Sequence, residues 1–391
     1  MRHWLTVASL VGAAATTPAA AVDYQVHGYA QQGLVYTDDN NFFGESSDIS
    51  TDYYEAGLNG SIQVQPNLLF SAQVSIRDAG ISDDGKLRLD YALGEYRFVS
   101  DVKNTVAVRA GKVKNAFGLF NQTRDVVFTR PGILMPGIYA DNQNQRSLIF
   151  AGPGAQVFAS RVAGAHELSI TATVNGNRDV HRNDERLLIT LPGIPFDLRI
   201  EDVWNVRVMD SIDGGRLQFA LSHFDGRFRL TTADTIGLAG SFGIGITVLS
   251  ARLNAERFSI ASEYSRVTND NRLDLGGSPL LRQKVDADSG YVQADFHINR
   301  SWSAFARVDA SFLDIHDRSG RRFAAENPGA DRKSRMTRDL VAGVSWRYGE
   351  HWGLWGEYHW IDGTSLLQRL ENPGRTDERW SMLLVMAGFK F

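Results

Sequence analysis

Apolar and polar residues alternate with a period of two along most of the chain. From Tyr54 to Gln65 the even positions carry Tyr54, Ala56, Leu58, Gly60, Ile62 and Val64. The odd positions carry Glu55, Gly57, Asn59, Ser61, Gln63 and Gln65. That alternation gives a strand one apolar face and one polar face. Pro66-Asn67 marks a tight turn, after which Leu68, Phe70, Ala72, Val74 and Ile76 alternate with Leu69, Ser71, Gln73, Ser75 and Arg77. Repetition of the pattern predicts sixteen strands, near 24–36, 53–65, 68–77, 87–99, 104–112, 147–160, 166–175, 198–208, 216–228, 242–254, 257–268, 287–298, 301–312, 335–348, 352–362 and 380–391. No long stretch carries a convincing helical period. Between 87 and 99 the parity changes, with Leu87, Leu89, Tyr91 and Leu93 on one phase and Tyr96 and Phe98 on the other. A bulge that shifts the register accounts for this.

The connections are as informative as the strands. They alternate long and short without a break, the short ones falling at 66–67, 100–103, 162–165, 209–215, 255–256, 299–300 and 349–351. An antiparallel transmembrane β-barrel, with tight turns on one rim and long loops on the other, requires this alternation. A soluble sandwich does not. Many segments run 10–13 residues, enough to cross a bilayer at a tilt. Tyr54, Trp204, Trp302, Trp346, Tyr348, Trp352, Trp360 and Trp380 sit near strand ends, where outward aromatic rings would form interfacial girdles.

Both chain ends add to this. Arg2 and His3, the apolar run Leu5–Ala15 and Ala19-Ala20-Ala21 read as a cleavable secretory signal over 1–21. Residues 22–391 are then the barrel. The last strand places Leu383, Val385, Ala387, Phe389 and Phe391 on the lipid-facing parity. An amphipathic final strand ending in Phe resembles the signal read by the outer-membrane barrel assembly machinery. No later run is apolar enough for a transmembrane helix. With no cysteine, disulfides and thiolate-bound metals are excluded. The formal charge of −4 does not fit a nucleic-acid binder.

One stretch is too irregular for a strand and too long for a turn. Residues 111–146 combine Lys112, Lys114, Arg124, Arg130 and Arg146 with Phe117, Phe120, Phe128 and Tyr139, and turn formers at Gly118, Pro131, Gly132, Pro136 and Gly137. Loops of this length inside a compact domain are usually functional. Its apolar groups would be costly in water, so the expectation is that it folds into the barrel and packs on the inner wall. The sixteen-strand pattern resembles the Gram-negative porins. The segment from Arg109 through Gly111-Lys112, Lys114 and Phe117-Gly118-Leu119 is similar to the stretch entering the third loop of the phosphate-selective porin O/P family. Ala116 stands where that family is expected to have proline. The resemblance implies a third loop that narrows the lumen, basic residues that favour anions, and a homotrimer.

The expected fold is therefore an all-β, 16-stranded antiparallel transmembrane β-barrel with a long third loop inside the lumen. Lys112, Lys114, Phe117, Arg124 and Arg130 are expected at the constriction. The expected pore lining includes Arg77, Arg97, Arg109, Arg207, Arg252, Arg307 and Arg347 with Glu55, Glu263 and Asp309. Arg199, Glu95, Glu167, Glu201, Asp295 and Glu357 share that inward parity. In a pore, such charges set selectivity. The expected function is passive diffusion of ions and small hydrophilic solutes with a weak anion preference. A channel specific for phosphate or another small anion is the alternative. An outer-membrane enzyme and a periplasmic ligand-binding β-domain are readings from other classes. The chain has no G-x-S-x-G or H-E-x-x-H motif, so no catalytic group, cofactor or metal ligand is assigned. Asp38-Asp39 and Asp83-Asp84 are read as solvated loop carboxylates rather than calcium ligands. The expected partners are outer-membrane lipid and lipopolysaccharide, the barrel assembly machinery through the strand ending at Phe391, the transported solutes, and two further copies of the chain.

Overall fold

The computed structural model describes residues 23–139, 149–180, 194–374 and 376–391. The segment 1–21, Arg146 and positions 183–184 lie outside the described residues. The barrel strands are β1 (Asp23–Thr37), β2 (Tyr53–Gln65), β3 (Leu68–Ala79), β4 (Arg88–Ser100), β5 (Asn104–Lys114), β6 (Ala151–Ala163), β7 (His166–Asn175) and β8 (Phe196–Ile212). They continue as β9 (Leu217–Thr232), β10 (Leu238–Asn254), β11 (Phe258–Leu275), β12 (Ser278–His297), β13 (Trp302–Phe312), β14 (Met336–Tyr348), β15 (Trp352–Gly363) and β16 (Arg379–Lys390). Each pairs antiparallel with its sequence neighbours, and β1 pairs with β16 to close the sheet. The two-residue strand Arg178–Asp179 pairs with β8 beyond the end of β7 and continues that side of the same sheet. Closure leaves no free sheet edge, as lipid demands of a spanning sheet. The last residue completes the seam: Phe391 N–H donates to the Gly28 carbonyl at 3.0 Å. Its ring occupies the space beside Gly28, where a Cβ would lie 2.4 Å from the ring.

The bulge expected in β4 is present. Gln73 pairs with Tyr91 and Val74 with Leu89, leaving Asp90 as the extra residue. A second bulge was not legible from the sequence. In β8, Asp202 adopts φ 54°, and the register with β9 slips between Asp225 and Arg227. The slip turns Leu198 and Ile200 into the interior. Arg199 and Glu201, expected to line the lumen, therefore face outward, where Glu201 pairs with Arg229 at 2.9 Å.

The connection expected to be long near 269–286 is also different. Strands β11 and β12 run 18 and 20 residues and meet in the turn Gly276-Gly277, with φ of +56° and +79°. Those angles suit a two-residue hairpin. This polar stretch stays in the ladder because its neighbour satisfies every backbone group. Its outer face carries charge pairs such as Arg266–Asp286 at 2.8 Å, each worth at most about 1 kcal/mol. The wall is thus taller here, with a charged exterior above the apolar belt of Leu168, Ile170, Val292, Val308, Leu340 and Leu383, all exposed.

Outward aromatics gather at both rims. Trp302, Trp346 and Tyr348 stack with centroids 6.1 and 5.8 Å apart on the short-turn rim. Tyr358 and Trp360 pair at 4.6 Å near the opposite one. Trp380 departs from the expected girdle. It turns inward, 5% exposed, and packs on Phe42.

The interior is not uniformly polar. One apolar cluster joins Leu198, Ile200, Phe224, Leu230, Ile246 and Val248 of the wall to Phe117, Phe120, Ile138 and Tyr139 of the 115–150 connection. Another joins Val35, Trp355, Met382, Leu384 and Met386 of the wall to Val127, Ile133 and Leu134 of the same connection. Strand β16 is consequently apolar on both faces, with lipid outside and the third loop inside.

Candidate functional site

The third loop leaves β5 at Lys114 and is closed at its base by Asn115, whose amide donates to the Ile149 carbonyl at 2.6 Å. Gly118 takes φ +55°, and a Cβ there would lie 2.5 Å from the Tyr139 hydroxyl. The turn therefore requires glycine both for its backbone angle and for space.

Four sets of polar contacts hold the loop against the wall. On β11, the fully buried Glu263 accepts hydrogen bonds from Tyr139 at 2.6 Å, Tyr291 at 2.8 Å, Ser250 at 2.6 Å and the Leu119 N–H at 2.9 Å. Burial and the adjacent carboxylate push the Tyr139 phenol well above its ordinary pKa, so it stays a donor. On β8 and β9, Asn205 donates to the Ala116 carbonyl at 2.7 Å, and Ser222 accepts from the Gly118 N–H at 3.0 Å. Arg207 donates to the Gly118 carbonyl at 3.1 Å and to Gln122 at 2.9 Å. On β2, Glu55 is ion-paired with Arg130 of the loop and, at 2.6 Å, with Arg77 of β3. Tyr53 joins this group, accepting from Arg130 at 3.0 Å and donating to the Ile133 carbonyl at 3.2 Å. At the loop tip, Glu357 accepts from the Ile133 and Leu134 N–H groups. Asp309 accepts from the Gly137 N–H at 2.7 Å, and Arg307 donates to the Leu134 carbonyl at 3.2 Å. His359 is fully buried between Asp339 at 2.7 Å and Glu357 at 3.4 Å.

These contacts decide what the charges expected at the constriction do. Arg130 is buried against Glu55. Lys114 pairs with Asp125 and lies over the rings of Tyr91 and Phe150, 4.9 Å from each. Arg124 is 2% exposed and donates to Asn121 and to the Tyr139 carbonyl. Lys112 remains on the wall with its Nζ on the Leu89 carbonyl at 2.5 Å. Phe117 is buried in the apolar cluster. On the wall, Arg97 and Arg109 share Glu95 at 2.7 Å each, and Arg109 also donates to Gln156 at 2.7 Å.

A cavity of about 570 Å³ opens beneath the loop toward the short-turn rim, lined by Arg207, Arg252 and Arg347 among others. None of these three is ion-paired among the described residues. Asp295 lies in the same lining, and holds Ser259 at 3.1 Å and Gln293 at 2.9 Å. Alternation placed Arg207, Arg252 and Arg347 inward, but it could not show that Glu55, Glu95 and Asp125 pair with other cations and leave these. It also missed Tyr53, Gln73, Asn205, Gln293 and Trp355 as loop supports, because inward polar and aromatic residues look alike in sequence whether they meet water or a loop.

A closed sixteen-stranded barrel with its third loop folded inward has the architecture of a transmembrane porin. Solved structures bear the likeness out. A loop-deletion mutant of OmpT, an outer membrane protein of Vibrio cholerae, is 14% identical, with 95% of this chain and 100% of that chain covered and a TM-score of 0.57. The outer membrane channel DcaP of Acinetobacter baumannii is 12% identical, with 95% and 97% covered and a TM-score of 0.58. An anion-selective porin from Comamonas acidovorans is 9% identical, with 95% and 100% covered and a TM-score of 0.58. Identities this low speak to the fold alone. No family model and no curated protein sequence matches the chain.

Proposed function

We propose that this chain is an outer-membrane porin, exported by a signal cleaved after Ala21, through which ions and small hydrophilic solutes diffuse with a weak preference for anions. The supporting observation is the uneven fate of the lumen charges. Arg77, Arg97, Arg109, Arg130 and Lys114 are each met by a carboxylate. Arg207, Arg252 and Arg347 line the cavity without one. In a confined, low-dielectric passage an unbalanced local charge outweighs the overall charge of the protein. The preference is therefore assigned to the cavity below the loop, and the loop itself sets the width. A narrower selectivity, for phosphate or another small anion, is the second reading and rests on the same three arginines.

Lipid and lipopolysaccharide would meet the apolar belt and the charged exterior above it, and the assembly machinery would read β16 and Phe391. A homotrimer fits an outer groove of about 600 Å³ across β1–β5, where Gly60, Ala72, Ala92, Gly94 and Ala110 leave room between Ile62 and Phe70. The test of function is a planar bilayer with a potassium chloride gradient. Wild type should conduct with a reversal potential on the anion side, and Arg252→Gln with Arg347→Gln should move it toward zero. Absence of conductance, or clear cation selectivity in the wild type, would defeat this reading.

A further inference from the structure

The three arginines below the loop do not face an otherwise polar chamber. The same cavity is walled by Phe120, Phe128, Phe305 and Trp355. Arg252 lies over one of these rings, its Cζ 5.6 Å from the Phe120 centroid. Its Nε is buried with no hydrogen-bond partner. Its cross-strand neighbours are Gln218 on β9 and Ala261 on β11, so neither adjacent strand supplies an acid at this level. Arg252 is half-buried, and no ion pair meets its guanidinium among the described residues, so the fork is open to a carboxylate that enters the cavity. The guanidinium fork matches a planar carboxylate in two parallel hydrogen bonds. Inorganic phosphate or chloride could balance the charge but would leave the aromatic wall without a role. A few hundred cubic ångströms with apolar walls and a few convergent polar groups is the usual form of a small-molecule site.

We propose that the cavity beneath the third loop binds small aromatic carboxylates, with the carboxylate on Arg252 beside the Gln218 amide and the ring against the phenylalanine and tryptophan side chains. The proposal rests on the porin reading and names the solute class that the passage retains. Such a solute would dwell in the cavity on its way through and slow the passage of smaller ions.

Binding is measured by calorimetry on the mature protein in detergent, with benzoate, benzyl alcohol and inorganic phosphate as probes. Benzoate should bind at least tenfold more tightly than either of the others. Arg252→Gln should weaken benzoate binding tenfold or more, and Arg252→Lys, which keeps the charge but loses the fork, should fall between. Circular dichroism and heat-modifiable migration on gels establish that each variant is folded. In case Arg252→Gln does not fold, Phe305→Leu removes part of the aromatic wall and should also weaken benzoate without affecting phosphate. Equal affinities for benzoate and phosphate, or unchanged benzoate binding in a folded Arg252→Gln, would overturn the proposal. Conductance in chloride alone, recorded on the same preparations, tests the porin reading separately. A channel that conducts but does not discriminate benzoate refutes only the site.

Discussion

Glu55 ties Arg130 of the third loop to the barrel wall through a buried ion pair, and its removal has a calculable result. It is 2% exposed and ion-paired to both Arg130 of the loop and Arg77 of the wall. Arg77 has a further carboxylate in Asp83, so Glu55→Met leaves chiefly Arg130 buried and uncompensated. Breaking a buried pair in this way costs about 3–5 kcal/mol. The ladder of the barrel does not pass through these side chains, so the cost falls on docking of the loop. At 1.4 kcal/mol per decade it raises the undocked population by about a hundredfold to a few thousandfold. The chain has no cysteine, so Val127→Cys, at a position 1% exposed, gives a clean reporter. Maleimide labelling of that thiol should accelerate by about two orders of magnitude or more when Glu55→Met is added. Single-channel current should become larger and noisier. Arg130→Met should have a smaller effect, because Glu55 retains Arg77. Unchanged labelling and unchanged current in Glu55→Met would show that the apolar clusters hold the loop without the ion pairs.

Three further outcomes are expected. Epitope tags at Ala325 and Gly276 should be accessible on intact cells and tags at Asn67 and Asn299 should not; the opposite labelling would reverse the orientation. Ala110→Trp, which fills the small-residue groove, should convert crosslinked trimers to monomers while the barrel keeps its heat-modifiable migration; trimers that persist would move the interface elsewhere. Glu371, in the 364–378 connection, accepts the Gly44 and Ile81 N–H groups at 3.0 Å each, and burial raises its pKa above the ordinary 4.5. The neutral form is therefore the one favoured by the folded loops. Its contribution is complete below pH 4.5 and is lost as pH rises through the raised value. Glu371→Gln should match wild type in thermal stability at pH 4 and exceed it at pH 8, and a variant less stable than wild type at pH 8 would refute this.

Alternation alone determined the number of strands, the approximate limits of most of them, the short-turn rim and most of the lipid-facing parity. It could do so because a strand that separates lipid from an interior needs a period of two, and every inward or outward choice is written locally. The length and apolar content of 111–146 also foretold the inward turn seen over residues 115–139. Tertiary structure decided what was not local. The bulge at Asp202 exchanged Arg199 and Glu201 for Leu198 and Ile200, and a single left-handed residue carries too little signal to be read in advance. The apolar inner face of β16 has meaning only once Val127, Ile133 and Leu134 lie against it. The partners of the loop cations, Glu55 on β2 and Asp125 on the loop itself, could not be assigned from the sequence because docking chooses them. Which arginines remain without an acid, and hence where a passing anion would be held, depends on pairings between residues as far apart in the chain as Glu55 and Arg130. Pair formation at that distance follows from the closed path of the loop across the lumen, which no period in the sequence encodes.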